Sequence, residues 1–116
     1  MKKINILKES YDFDRIIKNN KPYKYKDYII YIERKEQKNC KFGFSVGKKI
    51  GHAVVRNKIK RQLKAIVDKK DYQNEFNCII IVGRGILARS FQEMETNLYK
   101  AFDSLNIYKE EIDEKK

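Results

Sequence analysis

Between Phe42 and Val67 the apolar residues change their spacing from about two to about 3.6, and every Lys, Arg, Asp or Glu in the stretch is a cation. Phe42, Phe44 and Val46 alternate with Gly43 and Ser45, which predicts a strand with one apolar face. Gly47-Lys48-Lys49-Ile50-Gly51 then predicts a turn with outward lysines. Beyond Gly51 a helix is expected. On a wheel of 100° steps Val55, Ile59, Leu63 and Ile66 fall within about 80° of one another, while Arg56, Asn57, Lys60, Arg61 and Lys64 span a separate arc of about 140°.

Lys48, Lys49, Arg56, Lys58, Lys60, Arg61 and Lys64 lie in this stretch, Lys41 stands just outside it, and no acidic residue comes before Asp68. A solvated helix face normally mixes signs, because opposite charges four residues apart support the helix. Here neighbours repel. A ridge of one sign suits a polyanion, and of the three readings (nucleic acid, an acidic protein, a solvated face) it favours nucleic acid.

The remaining segments predict a scaffold. Ser10 is placed to cap a short helix through Asn19 with Phe13, Ile16 and Ile17 on one side, and Pro22 stops it. Tyr28–Arg34 alternates as a strand, and Glu36-Gln37-Lys38-Asn39 reads as a hairpin turn into the strand at Lys41. Cys78–Val82 is a continuous apolar run, as expected of a strand buried on both faces in a parallel arrangement. Ser90 opens a last helix with Phe91, Met94, Leu98, Ala101 and Leu105 inward. The order α-β-β-α-β-α gives an α+β fold, a single-domain α-β sandwich with helices packed on a central sheet. Residues 1–116 are expected to form one RNA-binding domain whose ends, about 1–6 and 110–116, fray.

Charge is unevenly distributed. The chain carries 27 Lys and Arg against 16 Asp and Glu, a net +11, but residues 1–70 hold 21 basic and 7 acidic side chains (+14) while 71–116 hold 6 and 9 (−3). That asymmetry predicts one nucleic-acid-facing surface. Cys40 and Cys78 are isolated and His52 is the lone histidine, so no zinc site is expected. No run approaches the roughly 20 apolar residues of a membrane span, and the start lacks the apolar core of a signal peptide. A cytoplasmic protein is expected, with no membrane partner. Candidate catalytic groups are poor. Asp12 and Asp14 flank a helical Phe13, Gly43–Lys49 lacks the Gly-x4-Gly-Lys-Ser/Thr spacing of a phosphate loop, and no nucleophile–base pair stands out.

Lys48-Lys49-Ile50-Gly51, Ala53-Val54, Arg56-Asn57 and Lys60-Arg61 together resemble the signature of the bacterial ribonuclease P protein subunit family, in which Lys-Lys, Gly, Ala-Val, Arg-Asn and Lys-Arg follow at this spacing. Leu7-Lys8, Asp12-Phe13, the strand around Tyr28–Ile32 and the Ile79–Val82 strand extend the likeness along nearly the whole chain.

The resemblance implies a subunit of a ribonucleoprotein endoribonuclease that removes the 5′ leader from precursor tRNA. In it the RNA subunit is the catalyst and requires Mg2+, while the protein binds no cofactor alone and needs no protein partner. It further implies a fourth short strand and a left-handed crossover around the basic helix. By the same likeness Arg56, Asn57, Lys60 and Arg61 bind the catalytic RNA, with Lys48, Lys49 and Lys64 extending that surface. Phe13, Tyr31 and Tyr108 match aromatic positions of a cleft that holds the single-stranded leader. Ile17 departs from the family's aromatic, and Gly47 from its usual serine. The alternative is a non-catalytic basic RNA-binding protein of ribosomal type, which size and charge fit equally.

Overall fold

The computed structural model describes residues 5–109, and within them the apolar run Cys78–Val82 lies inside strand β4, Phe76–Val82. β4 takes an inner position in a four-stranded sheet because both of its faces are apolar enough to be covered. Strand β2 (Tyr28–Arg34) pairs with it antiparallel and β3 (Lys41–Ser45) pairs with it parallel. A short β1 (Tyr23–Tyr25) lies antiparallel on the far side of β2, giving the order β1-β2-β4-β3.

This topology corrects two expectations. Residues 36–39 do not form a hairpin, because β2 and β3 are not neighbours and β4 is inserted between them. The β4 run, expected in a parallel arrangement, is parallel only on its β3 side. A strand with two apolar faces and two free edges accepts whichever partners reach it, and here they come from opposite directions.

Three helices cover the sheet. α2 (Ala53–Asp68) and α3 (Phe91–Leu105) pack on the face carrying Tyr28, Ile30, Phe42, Phe44, Cys78 and Ile80. Ile59, Leu63, Ile66 and Val67 of α2, with Met94, Leu98, Ala101 and Phe102 of α3, complete that core. Each such fully buried aliphatic side chain contributes about 1.5–3 kcal/mol relative to exposure. α3 starts on a capping box in which the Ser90 hydroxyl accepts from the Glu93 N–H and the Glu93 carboxylate accepts from the Ser90 N–H. α1 (Ser10–Asn19) covers the opposite face through Ile16, which meets Leu7 and Ile79 in a smaller cluster. Ser10 is the first helical residue and not the cap; Glu9 holds that position without a side-chain capping bond.

Of the ends expected to fray, 1–4 and 110–116 lie outside the described residues. Ile6 is not frayed, since it forms a parallel bridge to Phe42 that Leu7 extends with an N–H to Phe42 carbonyl bond of 2.9 Å.

Candidate nucleic-acid interface

The α1 face of the sheet is built from the odd-numbered strand residues, and one row across it places Tyr31 beside Ile79 and Ile79 beside Gly43. Ile79 is fully buried, whereas Tyr31 and, in the next row, Ile29, Ile81 and Ser45 stay half exposed. Phe13 of α1 lies directly over Gly43. Gly43, under the Phe13 ring, and Tyr31 thus flank Ile79, two strand spacings or about 10 Å apart at the backbone. Phe13 and Tyr31 belong to one apolar cluster with Leu7, Ile16 and Ile17.

At the outer edge of β3 this face turns into a cleft of about 520 Å³, lined by Ile6, Leu7, Lys8, Phe13, Phe44, Lys60 and Lys64. Lys60 and Lys64 reach the cleft from α2 and are half buried there. The structure therefore joins two surfaces that the sequence treats apart. Phe13 of the aromatic set and Lys60 and Lys64 of the cationic set line the same cavity.

The rest of the ridge faces outward. Asn57, Lys58 and Arg61 are exposed on α2. Arg56 is half buried, and its Nε donates to the Gly51 carbonyl at 3.1 Å. Gly51 has φ 156°, a backbone conformation that side chains rarely adopt, and a Cβ there would crowd Val55 at 3.2 Å. This glycine lets the turn enter α2 directly after Ile50, whose burial anchors the exposed Lys48 and Lys49. The ion pairs Arg15–Asp12, Arg15–Glu33, Lys69–Glu95 and Arg89–Asp27 all lie off the ridge.

Tyr108 is elsewhere. Its ring stacks on Tyr72 at 5.7 Å and meets Phe102 edge-on, within the core on the α2–α3 side of the sheet. Its hydroxyl donates to the Tyr99 carbonyl at 3.4 Å, and burial pushes its pKa well above that of a free tyrosine. The sheet separates it from Phe13 and Tyr31, so the structure does not assemble the three aromatics into one surface.

Lys8 and Phe44, known from the sequence only through the family likeness and the strand alternation, line the cleft, and Arg15 and Glu33, which the sequence reading does not single out, are joined across α1 and β2. Two signals were available. Asp12 and Arg15 have the spacing of a helical pair, and Glu33 shares the strand phase of Tyr31. The Arg15 guanidinium bonds Glu33 and Asp12, which raises its own pKa and holds the Glu33 carboxyl below the usual range. Burial pushes the thiols of Cys40 and Cys78 up, and Cys78 is enclosed in the core. Among the described residues, no three His, Cys, Asp or Glu side chains are grouped to hold a metal ion. No helix among them is long and apolar enough to cross a membrane. The geometry offers a cleft that brings the Phe13 ring together with Lys60 and Lys64, a half-exposed Tyr31 on the same side of the sheet, and an exposed cationic helix face.

The family model described as Ribonuclease P matches residues 1–106. The ribonuclease P protein component of Lactococcus lactis subsp. lactis is 37% identical over 109 residues, covering 93% of each chain. That of Mycoplasma mycoides subsp. mycoides is 37% identical over 105 residues, 86% of this chain and 94% of its own. Among solved structures, the ribonuclease P protein of Staphylococcus aureus superposes with a TM-score of 0.82 at 25% identity, covering 90% of this chain and 98% of that one.

Proposed function

The chain belongs to the ribonuclease P protein family and takes part in that endoribonuclease as its protein component, and on that premise we propose how its surface divides the work. The outward ridge of Arg56, Asn57 and Arg61, with Lys48 and Lys49 at its head, grips phosphates of the catalytic RNA. Arginine forks suit bidentate phosphate contacts, and lysines act as point charges. The groove between Phe13 and Tyr31 receives the single-stranded 5′ leader of precursor tRNA, whose bases stack on the two rings. Lys60 and Lys64 line the cleft with Phe13 and share α2 with the outward cations, so they hold backbone phosphates where leader and catalytic RNA approach each other.

In this reading the hydrolysis itself, and the Mg2+ it needs, belong to the RNA subunit. The protein binds no cofactor of its own and requires no further protein partner, and the assembly works in the cytoplasm. The observation that carries the proposal is the single cleft where Phe13 meets Lys60 and Lys64. A base-stacking wall continuous with a row of cations is what a single RNA strand requires.

The test is reconstitution. Protein, RNA subunit and Mg2+ together are expected to cut precursor tRNA once, at the mature 5′ end, and the protein is expected to tighten precursor binding only when the leader is longer than about one nucleotide. Cleavage by rigorously RNA-free protein would overturn the division of labour, and equal tightening for leaderless tRNA would overturn the groove assignment.

A further inference from the structure

Helix α1 is braced to the sheet by a chain of polar side chains. The Arg15 guanidinium donates from Nε and Nη2 to the two carboxylate oxygens of Glu33, both at 3.0 Å, and from Nη1 to Asp12 Oδ1 at 2.7 Å. The chain of bonds continues inward. Glu33 Oε1 accepts from Asn77 Nδ2 at 2.8 Å, and Asn77 Oδ1 accepts from Gln37 Nε2 at 2.9 Å. Gln37 also donates to the Asn39 and Phe76 carbonyls. Asn77 is the one buried polar side chain among the described residues, so the network ends on a fixed point inside the sheet.

Glu33 and Asn77 lie opposite each other on the sheet face that α1 covers, two residues from Tyr31 and from Ile79, and Arg15 reaches Glu33 on β2 from the flank of α1 opposite to the one that sends Phe13 over β3. We propose that Arg15 is a positioning residue for leader binding. Its fork fixes where α1 stands over the sheet, and so the separation and tilt of Phe13 relative to Tyr31. Its one positive charge also offsets one of the two negative charges that Asp12 and Glu33 would otherwise present to an anionic strand. The inference rests on the leader-groove reading above.

A purely architectural role fits less well. α1 already has an apolar anchor in fully buried Ile16, and a partly exposed ion pair adds little to stability. A planar fork held on both carboxylate oxygens supplies direction more than energy.

The experiment uses the reconstituted holoenzyme with Arg15→Ala, Arg15→Lys and Tyr31→Ala, and compares affinity for a precursor with a long leader against one with a one-nucleotide leader. Thermal unfolding and affinity for the catalytic RNA are measured on each variant. Arg15→Ala is expected to cut the long-leader preference roughly tenfold, the scale of one lost base stack, with catalytic-RNA affinity unchanged. Arg15→Lys keeps the charge but not the fork, and is expected to recover only part of the loss. A protein merely destabilised would lose affinity for both precursors together. Full leader preference in folded Arg15→Ala, or in Arg15→Lys, overturns the proposal provided Tyr31→Ala loses that preference. If Tyr31→Ala keeps it too, the leader-groove reading has failed instead.

Discussion

The Phe13 ring occupies the space that a side chain on Gly43 would need: a Cβ there would stand 2.5 Å from Phe13 Cζ and 3.2 Å from Leu7 Cβ. The missing side chain on β3 is what lets the tip of a helix aromatic approach the sheet so closely. Gly43→Ala is therefore expected to lift Phe13 and to destabilise the fold by about 1–3 kcal/mol, as overpacking does. In a Phe13→Ala background the same change should cost much less, because the clash has lost one partner. Urea unfolding of the four proteins in that cycle measures the coupling, and simple additivity would refute the contact.

Arg61→Ala and Arg56→Ala should both weaken assembly with the catalytic RNA, but only one should touch stability. Arg61 is exposed, and its removal is expected to change unfolding free energy by less than about 0.5 kcal/mol. Arg56 braces the Gly51 carbonyl, and its loss is expected to cost about 0.5–1.5 kcal/mol as well. Denaturant midpoints beside RNA titrations separate the two effects.

Assembly with the RNA should depend steeply on salt. If the ridge and cleft neutralise about five phosphates, a slope near −0.7 per contact weakens binding roughly a hundredfold between 50 and 200 mM salt. An affinity that barely moves over that range would mean that these cations are not the contact surface.

Acid should loosen the α1 brace. The Arg15 fork depresses the Glu33 pKa, with smaller help from Asn77 and Lys35, so its stabilising contribution is complete above the unfolded value of about 4.3 and is lost as pH falls through the lower folded value. Glu33→Gln is expected to flatten the stability profile below about pH 4.5, followed by thermal melts across the acid range. An unchanged acid limb in the variant would show that this carboxylate is not the one responsible.

Tyr31→Ala should leave catalytic-RNA affinity nearly intact and weaken precursor tRNA relative to mature tRNA by about 1–3 kcal/mol, with the difference vanishing once the leader is cut to one nucleotide. A drop in thermal stability with leader discrimination retained would place the ring in the core.

Much of this was legible in the residues. The alternation in Tyr28–Arg34 gave the two sheet faces correctly, and the α2 wheel separated Ile59, Leu63 and Ile66 from the cations. What sequence periodicity cannot encode is pairing. Nothing in Lys35–Cys40 distinguishes a tight hairpin from a connection that passes over an inserted strand, so the place of β4 between β2 and β3 was missed. The groove was half visible for the same reason. Phe13 and Tyr31 could be matched by likeness, but the contact of Phe13 with Gly43 and the reach of Arg15 to Glu33 join segments far apart in the chain. The place of Tyr108 was not legible either, because a partly apolar aromatic in that segment looks alike in sequence whether it lines a groove or packs on Tyr72.

The insertion of β4 also dictates an order of events during translation. Ile80 pairs with Ile30 on one side and with Phe44 on the other, so both flanking strands leave the ribosome before the strand that joins them exists. Until residues 76–82 emerge, the segment holding most of the positive charge has only the β1–β2 pair and lacks the strand that joins it to β3. Groove and ridge both depend on that central strand, and a nascent chain halted before Phe76 is expected to lack the finished binder's surface altogether.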